Sequence, residues 1–110
     1  VIGIDLIRNK PQEPGYGELK KVFRQQKNII GVEKVLSHQE NSRIDAIKPP
    51  KAVPPEQTGF VDILLDQDGN LRRSLLSVVN NNELKFSLPI LLAEKYLKPK
   101  NIVLKNATTQ

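Results

Sequence analysis

The chain has no cysteine, methionine or tryptophan, and only one histidine and five aromatic side chains in 110 residues. Without cysteine there is no disulfide, no thiol nucleophile and no cysteine-ligated metal. A single histidine excludes multi-histidine metal sites and leaves His38 as the one histidine general base on offer. It stands beside Ser37, but a nucleophile and its base meet across a fold rather than along the chain, so adjacency carries no catalytic reading. Phosphate-cradling loops are missing too. Pro14-Gly15-Tyr16-Gly17 lacks the Gly-x-Gly-x-x-Gly spacing and the Lys-Ser/Thr of a P-loop. The longest uncharged apolar run, residues 86–93, falls far short of the roughly 20 residues that a membrane-spanning helix needs. These absences leave no catalytic residue, no metal site and no cofactor motif to nominate.

What is present suits one globular domain. Apolar residues make up 38% and charged residues 26%, too hydrophobic for a disordered chain. A domain of this length buries about two-thirds of the surface its unfolded chain exposes. Lysine and arginine outnumber aspartate and glutamate by 17 to 12, for a net charge of +5. That balance makes a basic α/β nucleic-acid-binding module the alternative reading of the chain. The lysines are scattered from Lys10 to Lys105, however, rather than gathered into one stripe, and there are only five aromatics. The sequence opens at Val1 inside a strand-like run, with no signal peptide before it, and reads as a fragment of a longer protein.

A short phrase occurs twice, Ile2-Gly3-Ile4-Asp5 and Ile30-Gly31-Val32-Glu33. Each is an apolar stretch broken by glycine and closed by a carboxylate. Between them Tyr16, Leu19, Val22 and Phe23 have the spacing of a one-faced helix ending near Gln26. Strands over 1–7 and 29–36 with that helix between them predict a βαβ unit whose strands run parallel. Residues 37–58 follow without periodicity and carry Pro49, Pro50, Pro54 and Pro55. A loop of that length is expected to be a lid, a linker or an element in disguise. Strands are predicted over 60–65 and 71–79, reversed by Asp66-Gln67-Asp68-Gly69-Asn70, in which Asp68-Gly69 is a strong turn signal. The Asp66-x-Asp68-Gly69 run is no EF-hand, because the twelfth position is Ser77 rather than Glu. Asn80 to Asn82 read as a loop. Ser87 reads as the N-cap of a second helix with Pro89 in its first turn and Phe86, Ile90, Ala93 and Leu97 along one face. Pro99 stops that helix, 102–104 is a candidate last strand, and 106–110 a tail. The expected fold class is therefore α/β: a mixed sheet of four or five strands, a βαβ unit followed by an antiparallel hairpin, with two helices.

Ligands of open α/β sheets tend to bind at the carboxyl edge of the strands. In the register that the repeat implies, Asp5 and Glu33 are neighbours there, and two carboxylates that close call for a cation. Arg8, Lys34, Arg72 and Arg73 are the candidates, with Asp62 a third acid. The candidate ligand contacts are Asp5, Arg8, Glu33, Asp62, Arg72 and Arg73. The same residues also suit an ion-pair network that holds strand register.

The ordered combination of these stretches resembles the CHASE type-two domain. It is carried by the run from Val1 to Arg8, Glu13-Pro14-Gly15, Leu19 to Phe23, Asn28 to Val35, Pro54 to Asp62, Asp66 to Gly69, Leu71 to Ser77 and Phe86-Ser87. The resemblance covers residues 1 to about 98. It implies the extracytoplasmic sensory part of a bacterial membrane-bound adenylate cyclase, histidine kinase or serine/threonine kinase, a signal-input module without catalysis of its own. The implied partners are a small-molecule or physical signal, an output catalytic domain in the same parent chain and, through helices of that parent, the membrane; no nucleic acid is implied. The implied fragment is the C-terminal part of the sensory region. Its sheet would then lack native neighbours, and an exposed strand edge would invite self-association into a homo-oligomer.

Overall fold

A computed structural model describes residues 1–7, 9–36 and 46–105. Its elements are β1 (Ile2–Gly3), α1 (Tyr16–Gln25), β2 (Ile29–Glu33), a 3₁₀ turn (Pro55–Gln57), β3 (Thr58–Phe60), β4 (Ser77–Asn80), β5 (Glu83–Phe86) and α2 (Leu88–Leu97), followed by a second 3₁₀ turn, Lys98–Lys100. The strands β1, β2 and β3 form a parallel sheet in that order, and β4 with β5 forms an antiparallel pair. The chain is thus α/β with both parallel and antiparallel strands, as the sequence predicts. Arg8, Ser37, His38 and the 106–110 tail lie outside the described residues.

The register departs from the repeat. Gly3 pairs with Ile30 and Ile2 with Ile29, one residue away from glycine against glycine. Because side chains alternate along a strand, a one-residue offset moves every side chain to the other face. Gly3 consequently shares a face with Ile30, and Gly31 lies on the other. The reason is packing. A Cβ on Gly3 would sit 3.0 Å from Leu92 of α2, and a Cβ on Gly31 would sit 3.1 Å from Val53. Each glycine admits a different layer. On one face α2 lays Leu88, Leu91 and Leu92 onto the sheet. On the other lie Phe23 of α1 with Ala52 and Val53, joined by Ile4, Tyr16 and Ile29.

Three further expectations change. Ile90, Ala93 and Leu97 share one face of α2, as expected, but Phe86 belongs to β5, and that face borders a hollow with Ile102, Val103 and Leu104, which form no strand. The sheet-facing residues are Leu88, Leu91 and Leu92, beginning at the first residue of the helix; Ser87 stands at the N-cap position but its buried hydroxyl makes no capping hydrogen bond. The described end of the proline-containing segment is no open loop. Ile47 bridges Lys34, Ala52 and Val53 are core, and Gln57 is fully buried. Its Nε2 donates to the carbonyls of Gln26 (3.0 Å) and Ile29 (2.8 Å), pinning the 3₁₀ turn to the end of α1 and the start of β2. Finally, the reversal at Asp66–Asn70 is present, but its flanks meet at one isolated bridge, Leu64 to Arg73. The regular hairpin comes later. Asn80 pairs with Glu83, so the loop is Asn81-Asn82, both with positive φ (50° and 62°), the type I′ geometry that matches strand twist.

Of the glycines, Gly59 of β3 is the one most closely approached. A Cβ there would lie 2.7 Å from the Leu88 Cα and 2.8 Å from its nitrogen, which is backbone and cannot move aside as a side chain can. Gly59→Ala therefore forces α2 off the sheet. The expected cost is about 1–3 kcal/mol, read as a lowered urea midpoint with an unchanged slope; an unchanged midpoint would mean that the helix does not seat here.

Candidate functional site

The two sheets join and then part. Phe60, the last residue of β3, bridges Ser87 in parallel sense. Counting back along both strands brings Thr58 level with Lys85. Below the bridge the strands diverge around a cavity of 440 Å³. Its polar lining is Glu33, Glu56, Thr58, Glu83 and Lys85; its apolar walls are Pro49 and Pro55 on one side and Leu84, Phe86 and Leu91 on the other.

An ion pair closes the crevice. Lys85 Nζ donates to both carboxylate oxygens of Glu33, at 2.7 and 3.0 Å, across 52 positions of sequence. The Glu33 side chain is 8% exposed and that of Lys85 27%. Glu33 comes from β2 and Lys85 from β5, so the pair ties the hairpin to the central strand, with β3 between them. A second tie is Asn80 Nδ2, which donates to the Val35 carbonyl at 3.3 Å.

The six predicted site residues separate. Glu33 lines the crevice. Asp5 does not neighbour it: the observed register puts the two carboxylates on opposite faces of the sheet, and Asp5 is exposed. Asp62 is buried and accepts hydrogen bonds from the backbone N–H groups of Val35 (2.9 Å) and Leu36 (3.0 Å), capping the end of β2. Arg72 and Arg73 sit in the reversal that follows β3. Arg72 donates two bonds to Asp68, at 2.9 and 2.7 Å, and one to Asp66 at 3.1 Å, while Arg73 pairs with Asp66. With Asp62 they border a shallow hollow of 280 Å³. Arg8 lies outside the described residues. Of the polar crevice residues, sequence reasoning missed Glu56, Glu83 and, above all, Lys85. Its signal was slight: one lysine in an alternating Glu-Leu-Lys-Phe stretch outside any expected strand.

The reversal shifts the titration of its own acids. The guanidinium groups of Arg73 and then Arg72 hold the Asp66 carboxyl below its usual range. Arg72, helped by Asn70, holds Asp68 well below it. The same contacts raise Arg72.

The chain matches the CHASE2 domain family model over residues 1–109, essentially its whole length, and it belongs to that family. CHASE2 domains are extracellular sensory domains of signalling proteins. No curated protein and no solved structure matches the chain. Among the described residues no helix is long and apolar enough to cross a membrane, and no group of three or more histidines or acids could hold a metal ion.

Two outcomes test this geometry. Lys85→Ala strands a nearly buried carboxylate; the expected loss is about 2–3 kcal/mol, less than the roughly 3–5 for a fully dry pair because water reaches part of the lysine. Replacing both partners, Glu33→Leu with Lys85→Met, should cost much less in the same urea titration. In acid the sign follows from the lowered carboxyls. Asp66 and Asp68 favour the folded turn above the ordinary carboxylate pKa of about 4, and that contribution disappears as pH falls through their lowered folded-state values. Carboxyl ¹³C shifts read by NMR should show both titrating late, and Arg72→Gln should return Asp68 toward the ordinary value.

Proposed function

We propose that this chain is the signal-input part of a bacterial membrane-bound signalling protein of the adenylate cyclase, histidine kinase or serine/threonine kinase type, on the periplasmic face of the inner membrane, with no catalysis of its own. The observation that carries this reading is the crevice between β3 and β5. A small ligand seated there touches both sheets, and only a ligand that binds two arrangements unequally can move the balance between them. The contacts are Glu33 and Lys85 at the floor, with Glu56 and Glu83 at the mouth. Asp62, Arg72 and Arg73 serve the strand end and the turn beside it. Helices of the parent relay the resulting displacement to its output domain. A tenfold change in output needs a differential affinity of about 1.4 kcal/mol between the two arrangements, well within what a few hydrogen bonds supply.

The test uses the full parent in inner-membrane vesicles. Leu84→Trp fills the crevice as a ligand would, and Lys85→Ala releases the hairpin. The two are expected to move basal cyclase or kinase output by several-fold in opposite directions. Native output from both, with the sensory part still protease-resistant, overturns the proposal.

A further inference from the structure

The carboxyl end of α2 and the residues after it gather exposed apolar surface and positive charge in one place. The helix is apolar on most sides, yet none of its residues is buried, whereas a helix of that composition is ordinarily covered on more than one face. The sheet takes Leu88, Leu91 and Leu92. Ile90, Ala93 and Leu97 face a hollow of 170 Å³ shared with Ile102, Val103 and Leu104, which are each more than half exposed; Glu94 is the one acid on it. An exposed apolar patch rimmed by polar groups marks a surface that meets a partner. A second hollow, of 400 Å³, is lined by Lys27, Lys95 and Lys98 with Val1, Asn28 and Pro99, and by no carboxylate. The two hollows adjoin at consecutive residues, Leu97 and Lys98. Residues 88–105 hold four lysines against the single acid Glu94, a net +3 in a chain whose total is +5. Among the described residues none of these four lysines is in an ion pair. Lys100 lies over the ring of Tyr96, 4.4 Å from its centre, and Tyr96 is itself exposed.

We propose that this end of the domain docks on an anionic phospholipid surface, with Ile102, Val103 and Leu104 entering the headgroup layer and the lysines meeting lipid phosphates. The partner follows from the two hollows lying side by side. An anionic bilayer presents negative charge and apolar chains in adjoining layers, and lysines around an apolar patch with a tyrosine at its edge form the composition that settles at that boundary. Lysine stems lie along the apolar layer while their ammonium groups stay with the phosphates. A second copy of the chain covers the apolar hollow only by bringing lysines against lysines. Nucleic acid answers the charge but leaves residues 102–104 uncovered, and the aromatic at this end, Tyr96, carries Lys100 on its ring rather than offering a platform for a base. Neither hollow shares a lining residue with the crevice, so this surface stands or falls separately from the ligand reading.

The chain has no tryptophan, so Val103→Trp supplies a single fluorescent reporter at an exposed position. Vesicles of equal parts phosphatidylglycerol and phosphatidylcholine are expected to sediment the chain and move the reporter's emission to shorter wavelength, less so as salt is added; phosphatidylcholine alone should do neither. A lysine near an anionic surface is worth about fivefold in partitioning, so Lys98→Gln with Lys105→Gln, both exposed, should lower it about 25-fold with an unaltered amide NMR spectrum. Ile102→Ser with Leu104→Ser leaves the charge unchanged and should also weaken binding, a loss that attachment by charge alone does not show. Equal binding to phosphatidylcholine alone, or affinity that survives either pair of substitutions, overturns the proposal. Sedimentation without an emission shift does so too, because the apolar residues then remain in water. An emission shift on self-association in the absence of vesicles assigns the surface to a second copy, and tighter binding to a DNA duplex than to the vesicles assigns it to nucleic acid; either overturns the lipid assignment.

Discussion

The architecture depends on one close contact, the seat of Leu88 on Gly59. Only a residue without a Cβ lets the α2 backbone approach β3 this closely. That seat places Ser87, the residue before the helix, beside Phe60. Ser87 also directly follows β5, so the bridge sets how far β5 slides along β3. With that slide fixed, Lys85 stands level with Thr58 and its ammonium reaches Glu33. Moving the helix by one residue would turn Lys85 away from the crevice and leave a buried carboxylate without a counter-charge. A packing constraint on one face thus decides the electrostatics of a cleft built from three strands.

The Glu33–Lys85 pair is better understood as a specifier than as a source of stability. Removing two charges from water costs several kcal/mol per ion, which their attraction at best recovers. What the pair supplies is position, because no other described cation contacts the Glu33 carboxylate. Asp62 has a comparable role further along the chain. Its carboxylate takes the backbone N–H groups of Val35 and Leu36, which have left the ladder. The acids of the carboxyl edge thus divide, with Glu33 tying in the hairpin, Asp62 ending β2 and Asp5 facing solvent.

Much of this fold is legible in local chemistry, and what is not has a physical reason. Tyr16 to Gln25 is helical where its apolar spacing says so, and α2 begins at the residue after Ser87 with Pro89 in the first turn, although the Ser87 hydroxyl itself makes no capping hydrogen bond. The Asp68-Gly69 turn forms for the same reason, with φ of 79° at Gly69. Asp5 and Glu33 do not pair because register answers to what packs above and below a strand, here Leu92 over Gly3 and Val53 under Gly31, and neither is visible from the repeat. The β4–β5 hairpin is hidden by three asparagines that read as loop, although asparagine tolerates the positive φ that a type I′ turn requires. Glu33 is legible as a strand-end acid, but its partner Lys85, 52 positions away, belongs to a strand that only tertiary pairing reveals. Site residues brought in by such pairing are the last to be read from a sequence.

The same arrangement explains how a domain without catalytic groups responds to a ligand. Among the described residues the hairpin is tied to the parallel sheet by the bridge at Phe60 and Ser87, by the ion pair at the crevice and by the Asn80 amide. The sheet itself is held on both faces by α2 and by the Phe23, Ala52 and Val53 layer. Unequal attachment makes the hairpin the softer body, because few buried contacts oppose its displacement. A ligand between the two need not deform the core; it has only to compete with, or reinforce, one ion pair. The lysine of that pair is still reached by water, whereas the glycine-seated helix packing is closed by backbone. The compliant joint therefore lies where a ligand can reach it, and the rigid joint further along the same strand transmits whatever displacement results.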